Sequence, residues 1–380
     1  MPSPTLDDRQ AIEREFSDEQ QEVLNSIRGT RIILPVLIGV GVVLYLLYKQ
    51  FDPAEFARFD WTTHTTVWVL ASLTLLIVRH IAYATRLRVL SRGAFSWRKC
   101  IELIFIWEFS SAVSPTSLGG STVAFFVLAQ ERLSTAKTAA IVLYTVILDT
   151  AFFVLTLPVL FLLFGTNMIR PGMQTLGDMD GWGYYFILAY LLMLVYGSLF
   201  YYGLFHSPGQ IRRLLVWVTS FKWLRRFRAS AEALGTEMIL AGAELRRENF
   251  GFHAKAFLST ATAWSCRFLL LSCLIIAFFP DLSLDAFTQL GLYARLETMF
   301  VIVAFSPTPG GAGFVEVLFT KFLTDYVPNT TYSTIIAFIW RLFTYYSYLL
   351  VGAFIIPNWL RQTLNRRKAK KAAVIGQSES

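Results

Sequence analysis

The sequence predicts an all-α polytopic membrane protein of roughly six to eight membrane-embedded segments, arranged as two inverted-topology repeats. Each repeat carries a broken, re-entrant helical hairpin. Two observations lead there. Hydrophobic residues make up 55% of the 380 positions and charged residues only 16%, against about 25% charged in an ordinary soluble domain. Two proline- and glycine-rich interruptions, SPTSLGGS at 114–121 and SPTPGGAG at 306–313, also divide otherwise apolar stretches at corresponding places in the chain.

The elements follow in order. Residues 1–30 are polar and rather acidic, and Ile12, Phe16, Val23, Leu24 and Ile27 recur at mixed helical spacing behind a Ser17/Gln20 capping pair. They predict a short amphipathic helix on the cytoplasmic surface. No apolar signal region precedes the first span, which is expected to stay as an anchor. Continuous spans are predicted at 32–48, 63–84, 139–164, 182–205, 252–279 and 332–356. Two further apolar regions, 100–130 and 284–323, contain the interruptions, where proline removes a backbone donor and glycine frees φ. The transmembrane domain is thus 31–357, with repeat one at 61–165, repeat two at 252–357, a basic amphipathic loop at 206–250 and a basic tail at 358–380.

Lysine and arginine set the orientation. Arg86, Arg88, Arg92, Arg98 and Lys99 follow the second span, and a run from Arg212 to Arg247 crowds the loop after Phe205. These loops and both termini are expected in the cytoplasm. Leu214, Leu215, Trp217, Phe221 and Trp223 alternate with the basic residues of the long loop, as in segments that lie on anionic headgroups. Because the charge follows topology, nucleic acid is not an expected partner, whereas a partner protein at this loop is.

The interruptions match at an offset of 192 residues. Ser114, Pro115, Thr116 and Gly119 fall on Ser306, Pro307, Thr308 and Gly311, and Asp149 falls on Arg341. The first hairpin opens from the basic side and the second from the acidic 281–285 loop, so the repeats are inverted. Inverted repeats with discontinuous helices characterise secondary transporters, in which half-helix ends meet near the midplane.

The runs AVSPTSLGGSTVAFFVLAQERL, VIVAFSPTPGGAGFVEVLFTKF and IIAFIWRLFTYYSYLLVGAF resemble the lysylphosphatidylglycerol synthase transmembrane-region family, the flippase-like domain proteins, over about residues 30 to 360. The resemblance implies movement of an anionic or lipid-linked substrate between leaflets of a bacterial cytoplasmic membrane. Complete synthases carry a soluble aminoacyl-transferase domain after the membrane part. This chain reaches only a basic tail, so synthetic activity is expected to be absent. Ser121 and Thr122 stand where the first hairpin of the family commonly has charged residues, which leaves the headgroup open.

Backbone N–H groups freed at the breaks would bind phosphate or carboxylate. The substrate-binding set is therefore Ser114, Thr116, Ser117, Gly119, Gly120, Ser121, Ser306, Thr308, Gly310, Gly311 and Gly313, with Arg267 and Arg295 to neutralise a phosphate and Glu316 to exchange a proton or fix the break. Glu102, Glu108 and Glu297 are further charges inside apolar segments, where each costs at least about 2.5 kcal/mol. Asp149 and Arg341 are expected to pair across the repeat interface, and Arg79 and His80 to snorkel at a cytoplasmic end.

Cys100, Cys266 and Cys273 and the four scattered histidines form no metal or catalytic spacing, and no P-loop exists. No cofactor, metal or catalytic residue is expected. An intramembrane lipid-modifying enzyme and a membrane scaffold are the competing readings. The topology predicts that single cysteines at Gly181 and Asp325 react with an impermeant reagent from outside, and those at Ser91 and Ser230 only after permeabilisation. Labelling of Ser91 and Asp325 from one side would refute the inversion.

Overall fold

A computed structural model describes residues 60–113, 124–125, 127–131, 133–221, 223, 225–305 and 314–378. The amphipathic segment, the span at 32–48 and both interruptions lie outside the described residues. No strand occurs among the described residues.

Helix α1, Thr63–Leu90, begins where the Thr62 hydroxyl accepts from the Thr65 N–H. It ends in a left-handed turn at Arg92 (φ 53°) and Gly93 (φ 72°). α2 is Trp97–Val113. α3, Thr135–Phe164, is capped by Ser134 and stopped by Gly165 at φ 59°. α4, Gly181–Tyr201, starts on Asp180 and runs into a π-helical turn, Tyr202–His206. The basic loop folds as α5, Pro208–Val218, and α6, Arg228–Leu245. α7, Phe250–Phe278, is capped by Asn249.

α8, Ala286–Ala304, is capped by Asp285. The Ser283 and Thr288 hydrogen bonds hold that carboxyl far below the usual carboxylate range. α9 is Phe314–Phe322. α10, Thr330–Arg341, passes through a π-helical turn, Leu342–Tyr346, into α11, Ser347–Ser378. Each described helix start with a polar cap thereby satisfies backbone donors that lipid could not.

Among the described residues, five helical stretches are long and apolar enough to cross a membrane: Thr63–Leu90, Ala136–Met168, Gly181–His206, Phe250–Phe278 and Thr331–Thr363. α7 is the central one, with 72% of its apolar window buried, whereas the window in Gly181–His206 is 22% buried and faces outward. The apolar surfaces of Leu162, Leu188, Leu192 and Val195 remain exposed, as lipid contact requires.

The core pairing is α1 against α7. Ser72 Oγ donates to the Leu270 carbonyl at 3.0 Å, and Arg86 Nη1 donates to Thr260 Oγ1 at 3.2 Å. One number rises as the other falls, so the two helices are antiparallel. Around them, α2 packs on α1 and α11, while α8 packs on α7 and α3. α6 closes over α3 and α5.

Close approach is needed at two glycines. A Cβ on Gly352 of α11 would come within 2.5 Å of the Phe109 ring of α2, and one on Gly242 of α6 within 2.4 Å of the Leu204 carbonyl oxygen. Backbone oxygen cannot rotate away as a side chain can. Gly242→Ala should therefore cost about 1–3 kcal/mol, read as a lower melting temperature in detergent. Gly209→Ala, where a Cβ meets nothing within 4 Å, should be neutral or better.

Candidate functional site

Charged side chains gather where α1 crosses α7. Arg79 of α1 is 0% exposed, and its Nη2 donates to both carboxylate oxygens of Glu108 of α2, each at 2.9 Å. Two charge-assisted hydrogen bonds to a carboxylate let a buried guanidinium keep its charge. Its Nη1 donates to Tyr348 Oη at 3.1 Å, and its plane lies over Tyr83 and Tyr348. His80 completes the chain. Its Nε2 lies 3.2 Å from the Ile101 carbonyl, which can only accept, so in the neutral ring Nδ1 accepts from the Tyr348 hydroxyl at 3.2 Å. Arg79 and His80 are thus interior residues of the helix bundle and do not snorkel, because α2 and α11 cover this face of α1.

A second pair lies two turns along α1. Arg86 Nη1 donates to Asp149 Oδ1 at 2.5 Å, and Trp264 Nε1 donates to the same oxygen at 3.0 Å. The expected partner of Asp149, Arg341, does not form this ion pair. Antiparallel packing of α1 along α7 puts Arg86 at the carboxylate first, and Arg341 lies buried over the Tyr345 ring at 5.3 Å. Tyr345 in turn donates to the Ala112 carbonyl at 3.2 Å, tying the π-helical turn to the end of α2 just before the first interruption.

Arg267 of α7 differs from both. Its guanidinium carbon lies 4.4 Å from the Phe300 ring centre and 5.5 Å from that of Trp264. It makes no ion pair or hydrogen bond with a described residue, and its buried Nε is unpartnered. Trp264 therefore joins the two halves of the site, holding Asp149 by its N–H and Arg267 by its ring.

Arg295, the other cation expected at a lipid phosphate, is occupied by the protein. It donates to the Phe322 carbonyl at 2.9 Å, to Asn167 Oδ1 at 3.2 Å and to Asp325 Oδ2 at 3.4 Å. Of the remaining predicted residues, Ser114, Thr116, Ser117, Gly119, Gly120, Ser121, Ser306, Thr308, Gly310, Gly311 and Gly313 lie outside the described residues, and Glu316 belongs to α9. Arg86 and Tyr348 are the site residues that sequence reasoning left out, while Glu108 was read only as a charge inside an apolar segment and Arg79 as a snorkelling residue. A signal existed, since Arg267 follows Arg79 by 188 residues and Glu297 follows Glu108 by 189, close to the repeat offset.

Further polar geometry lies at the helix ends. Lys99 Nζ and Trp359 Nε1 both meet Glu131 Oε1, at 2.7 and 2.6 Å, so the chain on either side of the first interruption comes together. A groove of about 560 Å³ opens between the end of α1 and the start of α7, lined among others by Arg88, Arg92, Trp97, Phe252 and Lys255. No cluster of three metal-ligating side chains occurs among the described residues.

The sequence profile of the lysylphosphatidylglycerol synthase TM region matches residues 32–352, a range that includes every charge of this cluster. The chain belongs to this family. One relative, a UPF0104 membrane protein of Archaeoglobus fulgidus, is 24% identical over 332 residues, covering 83% of this chain and 94% of the relative. No solved structure matches significantly. Membership of the lysylphosphatidylglycerol synthase transmembrane-region family places the protein among membrane proteins related to lipid metabolism.

Removing one partner of a buried ion pair costs roughly 3–5 kcal/mol. Asp149 keeps 29% side-chain exposure, so Asp149→Asn and Arg86→Gln should each cost less, about 2 kcal/mol. The double variant should be clearly sub-additive, whereas Asp149→Asn with Arg341→Gln should add, as measured by unfolding in detergent.

Proposed function

We propose that this protein is a transporter of the lipid-flippase type, moving an anionic or phosphate-bearing lipid, phospholipid or polyprenyl-linked, between leaflets of the bacterial inner membrane. Arg267 carries the reading. It is a guanidinium among spanning helices, held on two aromatic faces and in no ion-pair contact with a described carboxylate, near Arg79 and Glu108, which bond to each other. A phosphate is the ligand that such a planar fork takes in two parallel hydrogen bonds. Aromatic contact keeps the cation weakly hydrated and ready to exchange partners.

Several arrangements support the inverted-repeat route. α1 and α7 are antiparallel, and α2 on α11 answers α8 on α3. Glu131 beside Lys99, and Asp325 beside Arg295, favour broken segments that return to the end where they began. Backbone donors near Gly119 and Gly311 would then complete the phosphate site from both sides. The basic groove by Lys255 offers the headgroup a landing place on the cytoplasmic side. Exposed Trp217, Phe221 and Trp223 suit the adjoining α5 segment to anionic headgroups. No bond is made or broken in this reading, so the protein acts without catalysis.

The test is inter-leaflet movement of fluorescent phosphatidylglycerol in liposomes holding the purified protein. Loss of a charged hydrogen bond of about 1.5–3 kcal/mol predicts a fall of about tenfold or more for Arg267→Gln. Phosphatidylcholine should move more slowly in the wild type. Equal rates with and without protein would end the proposal, and equal rates for Arg267→Gln would remove this residue from it.

A further inference from the structure

Three charged side chains of the bundle lie within one another's field. Arg267 has Arg79 and Glu108 as charged neighbours, together with the phenols of Tyr83 and Tyr348, and Glu108 has both arginines. The antiparallel register brings them together: Ser72 meets Leu270 and Arg86 meets Thr260, so position 79 of α1 falls beside the 263–267 turn of α7. Their roles are unequal. Arg79 has no exposure and commits both Nη atoms to Glu108 and Tyr348. Glu108 keeps 22% side-chain exposure. Arg267 is half-buried, and its buried Nε has no partner. An anion entering here meets Arg267 and the open side of Glu108, and feels Arg79 only past the carboxylate that covers it.

The charge of this group decides what it can hold. Two guanidiniums and one carboxylate leave a single positive charge. His80 adds none, because it lies as a neutral ring between the Tyr348 hydroxyl and the Ile101 carbonyl. The other charges of the bundle are engaged elsewhere: Asp149 with Arg86, Arg295 with Asp325, Glu297 with Thr156, and Arg341 over the Tyr345 ring. An uncompensated charge among spanning helices is costly, so one net cation suits one net anion. A phosphodiester carries one negative charge, whereas a phosphomonoester carries nearly two. The second charge of such a ligand would face Glu108 and find no further cation.

We propose that Glu108 is the specificity-determining residue of this site: by cancelling Arg79 it leaves one positive charge, so the protein selects lipids with a single phosphodiester charge and rejects phosphomonoester and diphosphate lipids. The inference rests on the transport reading for the ligand being a lipid, and it narrows that reading. Phosphatidylglycerol and polyprenyl phosphodiesters fit the site, whereas phosphatidic acid, polyprenyl phosphates and polyprenyl diphosphates do not. Without Glu108 the two guanidiniums would favour the doubly charged lipids. Discrimination by one uncompensated charge is about tenfold or more.

The test is binding of short-chain lipids to purified full-length protein in detergent at about pH 9, where a phosphomonoester is doubly charged, with thermal melting of each variant alongside. Wild type should bind phosphatidylglycerol about tenfold or more tightly than phosphatidic acid. Glycerophosphoglycerol, the same diester without acyl chains, should compete poorly. Glu108→Gln, with two net positive charges, should abolish or reverse the preference by improving phosphatidic acid. Arg79→Gln leaves Glu108 to neutralise Arg267, so phosphatidylglycerol affinity should fall about tenfold although Arg267 is intact. That variant and the wild-type preference decide the matter if Glu108→Gln does not fold. Equal wild-type affinity for the two lipids, binding of neither, an unchanged preference in folded Glu108→Gln, or wild-type affinity in Arg79→Gln overturns the proposal. Charge selection with no movement between leaflets in liposomes would sustain it and refute the transport reading. Equal competition by glycerophosphoglycerol would sustain the role of Glu108 and refute a lipid as the ligand.

Discussion

Everything in the middle of this molecule is arranged around a guanidinium that has no solvent. Arg79 stands within a spanning helix with no exposure, and both carboxylate oxygens of Glu108 accept from its Nη2. An uncompensated charge at that depth is costly. α2 must therefore approach α1 closely enough to deliver its carboxylate, and α11 must deliver the Tyr348 hydroxyl from the other side. The tight seat of α11 on α2 at Gly352 follows from the same need. A bundle packed only by leucine and phenylalanine surfaces would have many equivalent settings, whereas this set of polar partners admits one.

The second constraint is asymmetry between two similar halves. In the first half arginine and glutamate neutralise each other. In the second, Arg267 rests on aromatic rings and Glu297 on a threonine. Trp264 and Phe300 make this arrangement stable, because ring faces hold a cation without a counter-ion and leave its donors open.

The legible part of the fold in the sequence was local. The predicted spans at 63–84, 139–164, 182–205 and 252–279 became α1, α3, α4 and α7 with ends moved by a few residues, since caps such as Asn249 and Asp180 draw the start of a helix beyond its apolar run. Family membership was legible in the runs around SPTPGGAG and WRLFTYY, and the latter spans the end of α10 and the π-helical turn that meets α2. The site was legible only in part. Arg267 and Asp149 were recognisable as charges in apolar surroundings, but Asp149 was assigned to Arg341 by counting along the repeat, and Arg79 was taken for a snorkelling residue.

By itself the sequence determined which segments are apolar enough to enter the membrane, because hydrocarbon accepts only backbone whose hydrogen bonds close within the segment. It also marked Glu108, Asp149, Arg267 and Glu297 as charges inside apolar segments. Only the tertiary structure decided their partners. A helix fixes neighbours three and four residues away, whereas Arg86 with Asp149, Arg79 with Glu108 and Glu297 with Thr156 are separated by 63, 29 and 141 residues. Those meetings depend on the antiparallel register of α1 along α7, and that register is a property of packed surfaces, which no single segment contains.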